Sequence, residues 1–243
     1  MERDKTSLLY WYPIIKHIAL TPRTEIVMLN EKELNKYWRG EGDACSLGRL
    51  TQEVKKVIKA KFTLPVFIKT DVYSDKHNWK NSCYVDSLDN LDNHLFEIIA
   101  GSRCADILGG LPIEAIIVRE FIPMKTLFKA FWGEMPVNPE IRVFIKNGKI
   151  ICHHWYWIEE AIEDGTDEES LPANWKEILD DVKYDYANID YILSIAEQIA
   201  KKLAGFWSID FCLSKDDKWI LIDMAEGSKS WHDRSCEKWK LKK

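Results

Sequence analysis

FWSIDFCLSKDDKWILIDM, residues 206–224, consists of two apolar runs joined by a polar turn, and each run carries one aspartate where an apolar side chain belongs. The runs are rich in aromatic and β-branched residues, which suits two strands of a hairpin. With Asp216 and Asp217 at the tip, or with a loop over 215–218, Lys215 faces Lys218, Leu213 faces Ile220 and Phe211 faces Ile222. The same register sets Asp210 opposite Asp223. Two carboxylates directly opposite on one sheet face lie about 5 Å apart at Cβ and repel. Ile209, Phe211, Ile222 and Met224 alternate to the other face and are expected to supply the core. The pair needs a counter-charge, and a hard divalent cation answers, because Mg2+ takes carboxylate oxygens together with substrate phosphates. The same pair also reads as a protonated carboxyl, a salt bridge to a lysine, a frayed strand end, or a shared-proton dyad for acid–base chemistry.

Working outward, EIRVFIKNGKIICHHWYW (140–157) is a second hairpin, with Asn147-Gly148 as a strong two-residue turn signal. LPVFIKTDVY (64–73), CYV (83–85), AIIVREFI (115–122, ended by Pro123) and TEIVML (24–29) read as strands. Helices are expected over Leu50–Ala60, over 88–108, and over Tyr191–Ala204. In the last of these Ile192, Ile195, Ala196, Ile199, Ala200 and Leu203 recur at helical spacing before Gly205. DKHNWKNS (75–82) reads as a mobile polar loop, EEAIEDGTDEES (159–170) as an acidic surface loop, and the tail KWKLKK as a frayed basic end. Hairpins and helices alternating irregularly give an α+β class with mainly antiparallel sheets, not a doubly wound parallel sheet. Neither GxGxxG nor GxxxxGK[ST] occurs, so those two routes to phosphate binding have no support.

At 243 residues the chain can hold one large domain or two small subdomains. A net charge of −5 argues against a general nucleic-acid binder. No apolar run reaches the roughly 18 residues of a membrane span, and the first twenty residues lack a signal-peptide core. Six scattered cysteines without CxxC suit a reducing, cytoplasmic setting. The eleven tryptophans suit either a core or a site for a flat ligand.

Cations interrupt other apolar strands. Lys69 lies inside LPVFIKT, Lys76 and Lys80 lie in the loop that follows, and Arg142 lies inside EIRVFIK with Ile141, Val143 and Ile145 on the opposite face. Lysines and arginines converging with carboxylates and a metal make a polyphosphate site. Taken singly, each cation also reads as a snorkelling surface residue.

This order of features resembles the ATP-grasp superfamily over roughly residues 62–232: a lysine strand, a loop with a second cation, VREFIPM, an arginine strand, and a final acidic pair. In style it is closest to the eukaryotic translation-initiation-factor-2 assembly chaperones, which share a WYP near the N-terminus, the arginine hairpin and a LID-type last strand. The resemblance implies an ATP-grasp fold, two mixed subdomains clasping a nucleotide. An N-terminal portion (1–61) would precede a central subdomain with the lid loop (62–122) and a C-terminal subdomain with the metal site (123–243). It implies ATP and Mg2+ as cofactors. Lys69 would meet the α-phosphate side, and Lys76 or Lys80 would reach phosphates from the lid. Glu120, Phe121 and Ile122 would form the adenine hinge, partly through backbone groups. Arg142 would hold the γ-phosphate or an acyl phosphate, with Lys76 as the second catalytic cation. Asp210 and Asp223 would ligate Mg2+. Ala225 stands where the family commonly has asparagine, with Glu226 beside it as a substitute ligand.

The implied activity is ATP-dependent joining of a carboxylate to an amine or similar nucleophile, with the N-terminal part, HHWYW and SKSWH as the places for acceptor contacts. Three alternatives stand beside it. One is a non-catalytic ATP-binding assembly factor with a protein client. Another is a covalent nucleotidyltransferase such as an RNA ligase, since Lys69-Thr70-Asp71 gives KxD, although Val72 replaces the glycine expected next. The last is a zinc protein using Cys152, His153 and His154, in which Cys152 and His154 share a strand face but no second ligand pair is spaced to match.

Overall fold

The computed structural model describes residues 4–30, 45–107, 112–131, 134–185, 189–234 and 236. The chain divides into a first unit, 22–122 with 131–135, and a second unit, 1–21 with 123–130 and 136–243. Helix α1 (Leu8–Ile15) opens the chain and belongs to the second unit.

The first unit holds β1 (Thr24–Met28), α2 (Cys45–Lys61), β2 (Val66–Thr70), β3 (Tyr84–Val85), α3 (Leu91–Ile107) and β4 (Ala115–Glu120). Its sheet has the order β1-β4-β2-β3 and is antiparallel throughout. β4 lies between two neighbours, and Ala115, Ile116, Ile117 and Val118 are fully buried, which is why its sequence is a continuous apolar run. One core joins Ile68, Ile116 and Val118 of the sheet with Val54 and Ile58 of α2 and Leu95, Ile98 and Ile99 of α3.

One expectation for this unit changes. The strand expected over 64–73 stops at Thr70, because local side-chain bonds turn the backbone away. Thr70 Oγ1 accepts from the Tyr73 N–H at 2.9 Å, and Asp71 Oδ1 accepts from the N–H groups of Glu114 (3.0 Å) and Ala115 (3.2 Å). The stretch 75–82 is the expected connection between β2 and β3, and it holds local turns. Lys76–Asn78 form a 3₁₀ turn, and the Ser82 hydroxyl is within 2.8 Å of both the Asp75 and Asn78 carbonyls.

Next in the chain comes a short ribbon of β5 (Phe128–Ala130) and β6 (Met135–Val137), which apart from Met135 is counted with the second unit. Then come β7 (Glu140–Lys146), β8 (Lys149–Trp155), α4 (Glu159–Gly165), α5 (Trp175–Asp185), α6 (Asp190–Ala200), β9 (Phe206–Leu213) and β10 (Trp219–Glu226). The main sheet has the order β10-β9-β7-β8, again antiparallel. One face carries Ile141, Val143 and Ile145 with Ile209 and Phe211, all buried, and α6 packs on β7 and β8 with Ile192, Ile195, Ala196 and Ile199 buried. The opposite face carries the polar row described below.

Asp210 pairs with Asp223 as the hairpin register predicts. The tip differs: Phe211 pairs with Leu221 and Leu213 with Trp219, and a bulge falls at Ile222. Ser214 closes the loop by bonding Lys218 in both directions, N–H to carbonyl at 2.8 Å and Lys218 N–H to Ser214 Oγ at 3.0 Å. One extra residue must therefore be absorbed, and Ile222 is only half-buried instead of joining the core. The acidic stretch 159–170 is likewise not a loop. It holds α4 and a 3₁₀ turn at Glu168–Ser170, because Ile162 is buried and Glu159 and Glu160 suit a helix N-terminus. α6 ends at Ala200, four residues before the expected Ala204. The basic tail lies outside the described residues. Among those described, no disulfide forms and no helix is long and apolar enough to cross a membrane.

Asn147 (φ 49°) and Gly148 (φ 85°) form the β7–β8 turn in the left-handed region. A Cβ at position 148 would touch nothing within 4 Å, so only backbone strain opposes it. Gly148→Ala should lower stability by about 1–2 kcal/mol in urea unfolding without altering the circular dichroism spectrum; an unchanged midpoint would contradict this turn geometry.

Candidate functional site

In the second unit, residues paired across four strands line up on one face: His154 on β8, Arg142 on β7, Asp210 on β9 and Asp223 on β10. Strand alternation makes the row, since Arg142 sits between core-facing Ile141 and Val143 and Asp210 between Ile209 and Phe211. Arg142 and Asp210 are each only 7% exposed. The Arg142 fork is bidentate, Nε donating to Oδ1 and Nη2 to Oδ2, both at 2.7 Å. Nη1 donates to the Trp231 carbonyl at 3.0 Å, and the guanidinium lies 4.5 Å from the Tyr156 ring centroid. Burial works against the charged guanidinium, but the Asp210 carboxylate, by charge and by hydrogen bonds, outweighs it and holds the Arg142 pKa above the usual arginine value.

Asp223 is half-buried, and its Oδ1 accepts from the Met224 N–H at 3.0 Å. Burial holds the His154 pKa below the ordinary histidine value, with the Trp155 carbonyl opposing and the Arg142 charge adding to the depression. His154 Nδ1 lies 2.9 Å from that carbonyl, and Nε2 faces the Asp233 N–H at 3.5 Å, as in a neutral ring protonated on Nδ1. Glu226 lies apart from the row. It pairs with Trp207, so alternation puts it on the face opposite Asp223, and it contacts Lys229 at 3.7 Å. Arg142 thus supplies the counter-charge for Asp210. Each Asp210 oxygen accepts one bond from Arg142 and has a second lone pair, and Asp223 adds a second carboxylate across the strand pair. This all-oxygen donor set fits a hard cation, with Asp223 as the carboxylate that does not also hold the Arg142 fork.

The first unit holds the other candidates. Lys69, 3% exposed, stands on β2 opposite Ile117 of β4. Lys76 begins the 3₁₀ turn, and His77 beside it stacks on Phe131 with ring centroids 4.3 Å apart. Lys80 forms an exposed ion pair with Glu134. The Glu120 carboxylate accepts from the Arg23 N–H at 2.7 Å, so its side chain is engaged within the sheet edge. Phe121 packs edge-on to Tyr84 at 5.1 Å and to Trp79 at 6.3 Å, and Phe67 lies 5.7 Å from Trp79. Ile122 follows, half-buried.

Residues 57–238, three quarters of the chain, match a family described as an ATP-grasp domain, the third family of its clade. The chain belongs to this ATP-grasp family. C-terminally truncated Cdc123 from Schizosaccharomyces pombe is similar in structure, with TM-score 0.54 and 16% identity over 91% of this chain and 83% of that one. Cdc123 from the same organism gives 0.51 and 16% over 93% and 87%. At such identity the likeness speaks for the fold alone, which is the expected α+β ATP-grasp fold with antiparallel sheets. No curated protein matches the chain.

Within this ATP-grasp chain, sequence reasoning singles out Arg142 and Asp210 separately but does not pair them. Two further residues, His232 and Cys236, lie after the last strand; sequence reasoning reaches His232 only as part of SKSWH, a place for acceptor contacts, and does not single out Cys236, and the shared face of Cys152 and His154 is the one signal of metal-ligand chemistry near them. Removing one charge from the row should have unequal effects at its two carboxylates. Asp210→Asn strands a buried guanidinium and should cost about 3–5 kcal/mol. Asp223→Asn, at a half-buried carboxylate outside the Arg142 fork, should cost clearly less. Urea titrations of both variants test this, and equal losses would contradict the charge assignment.

Proposed function

We propose that this chain binds Mg-ATP and uses it to activate a carboxylate for attack by an amine or similar nucleophile. The single observation that carries the reading is the Arg142–Asp210–Asp223 row on an ATP-grasp fold. In this reading segment 62–122 carries the adenine and lid residues, and segment 123–243 carries the metal residues. Lys69 meets the α-phosphate side, and Lys76 or Lys80 reaches the outer phosphates. Because the Glu120 carboxylate is engaged with Arg23, adenine contacts fall to backbone groups of Glu120, Phe121 and Ile122. Asp223 and Asp210 would hold Mg2+, which would neutralise charge on the phosphate oxygens, and Glu226 would serve only by turning to the other face.

Arg142 has five N–H groups, and those left over from Asp210 and Trp231 are available to a phosphoryl oxygen. Asp210 fixes the fork beforehand, so no reorganisation is needed as charge shifts in the transition state. The substrate carboxylate oxygen bonds to the γ-phosphorus as the bond to ADP breaks. The nucleophile then bonds to the acyl carbon as inorganic phosphate leaves with the electron pair, and the nucleophile's proton passes to solvent. A second reading, nucleotide binding without turnover in a protein-assembly role, is favoured by Ala225 at the usual asparagine position and by the facing of Glu226. Phosphate release measured with carboxylate and amine panels, beside ATP binding alone, separates the two.

A ligand bound only by the native state must raise its stability. Millimolar Mg-ATP should therefore raise the melting temperature of the wild type, and Lys69→Ala should weaken the ATP response. No shift for the wild type would overturn the nucleotide reading.

A further inference from the structure

On the polar face of the second unit, one row from Arg142, β8 places Cys152 opposite Phe144 of β7, which itself faces Ser208 of β9. The segment after β10 crosses this row. Ser230 Oγ bonds Ser208 Oγ at 2.6 Å, and the His232 ring, 4% exposed, stacks on Phe144 with centroids 4.1 Å apart and planes 16° from parallel. The His154 ring stacks against His232 with centroids 5.5 Å apart. Held this way, His232 sets Nε2 at 3.2 Å from Cys152 Sγ. A turn with the Cys236 N–H bonded to the Asp233 carbonyl at 3.1 Å brings Cys236 back, and the ligand atoms of Cys152, His232 and Cys236 all lie within 4.8 Å of one another.

We infer that Cys152, His232 and Cys236 form a zinc site that staples the segment after β10 to the sheet. Zn–S bonds near 2.3 Å and Zn–N bonds near 2.0–2.1 Å at tetrahedral angles require separations of about 3.6 Å between sulfur and nitrogen and about 3.8 Å between sulfurs. The observed cluster is within about an ångström of that frame, so closing on an ion needs only side-chain adjustment. Two thiolates and an imidazole select zinc over magnesium, since soft donors suit the former and oxygen donors the latter. His232 and Cys236 stand four residues apart in one turn, which supplies the second ligand pair that the spacing of Cys152, His153 and His154 lacks. His153 takes no part, because it alternates to the other face of β8. Each thiol releases its proton to solvent as the metal binds, and water completes the fourth position. The consequence for the polar row is positional: the staple holds the Trp231 carbonyl where Arg142 Nη1 meets it.

The test uses the full chain, purified reduced and without chelator, with zinc measured by mass spectrometry and by a chromogenic chelator after thiol modification. Stoichiometric zinc is expected. Cobalt exchanged for it should show thiolate charge-transfer and tetrahedral ligand-field bands. Cys236→Ser and His232→Gln should lose the metal, whereas His153→Gln should keep it. The wild-type cobalt spectrum decides the matter even where a variant fails to fold. Reduced wild-type protein that takes up neither ion would overturn the site. So would a Cys152–Cys236 disulfide as the state of the metal-free protein that zinc with reductant does not replace, or loss of metal from His153→Gln. None of these readouts involves ATP, so they stand or fall apart from the nucleotide reading.

Discussion

The ion pair of Arg142 and Asp210 is the constraint on which the second unit depends. Two full charges sit within a four-stranded sheet, each 7% exposed. Withdrawing them from water costs several kcal/mol per ion, and only near-ideal geometry offsets that cost. The two 2.7 Å bonds of the fork meet the requirement, and the third bond, to the Trp231 carbonyl, engages the guanidinium further. The pair also enforces register. A one-residue slip of β7 against β9 would set Arg142 opposite Ile209 or Phe211 and leave both charges facing apolar side chains. Once β7 and β9 are locked, Phe144 faces Ser208, and both receive the segment that carries Ser230 and His232.

Much of this is legible in the sequence where the determining forces are local. Strand alternation, written in adjacent residues, puts Asp210 and Asp223 between apolar neighbours, but their direct opposition also needs the bulge at Ile222, since the register of the loop alone would set Asp210 against Ile222. The Asn147-Gly148 turn is legible because its signal is local. The bulge at Ile222 is not, because it depends on how Ser214 and Lys218 close the loop, and polar tips of several lengths share one composition. The partner of Asp210 is hidden for a different reason. Arg142 lies 68 residues away, and β7 and β9 are neighbours without being consecutive, so no local pattern reports their contact. The stretch 159–170 reads as a loop on charge alone, yet the one buried residue Ile162 outweighs its acidic neighbours in ordering α4.

The same contrast marks the candidate site. Lys69 and Arg142 stand out because a cation inside an apolar strand is costly unless it is answered. Glu120 stands out through its place at the end of β4, yet its carboxylate serves the backbone of Arg23, a bond that sequence spacing cannot show. His232 and Cys236 have no periodic setting to mark them, and they acquire meaning only when the chain after β10 folds back over Cys152.

The most direct test of this account is a double-mutant cycle on Arg142→Gln and Asp210→Asn, with stability measured by denaturant unfolding of the full chain. The account predicts strong coupling, with the double variant recovering roughly 1.5–3 kcal/mol relative to the sum of the single losses, because each single change leaves the other charge buried and unanswered. Losses that add to within about 0.5 kcal/mol would contradict it, showing that the two residues act independently and that the register of the sheet rests on something else.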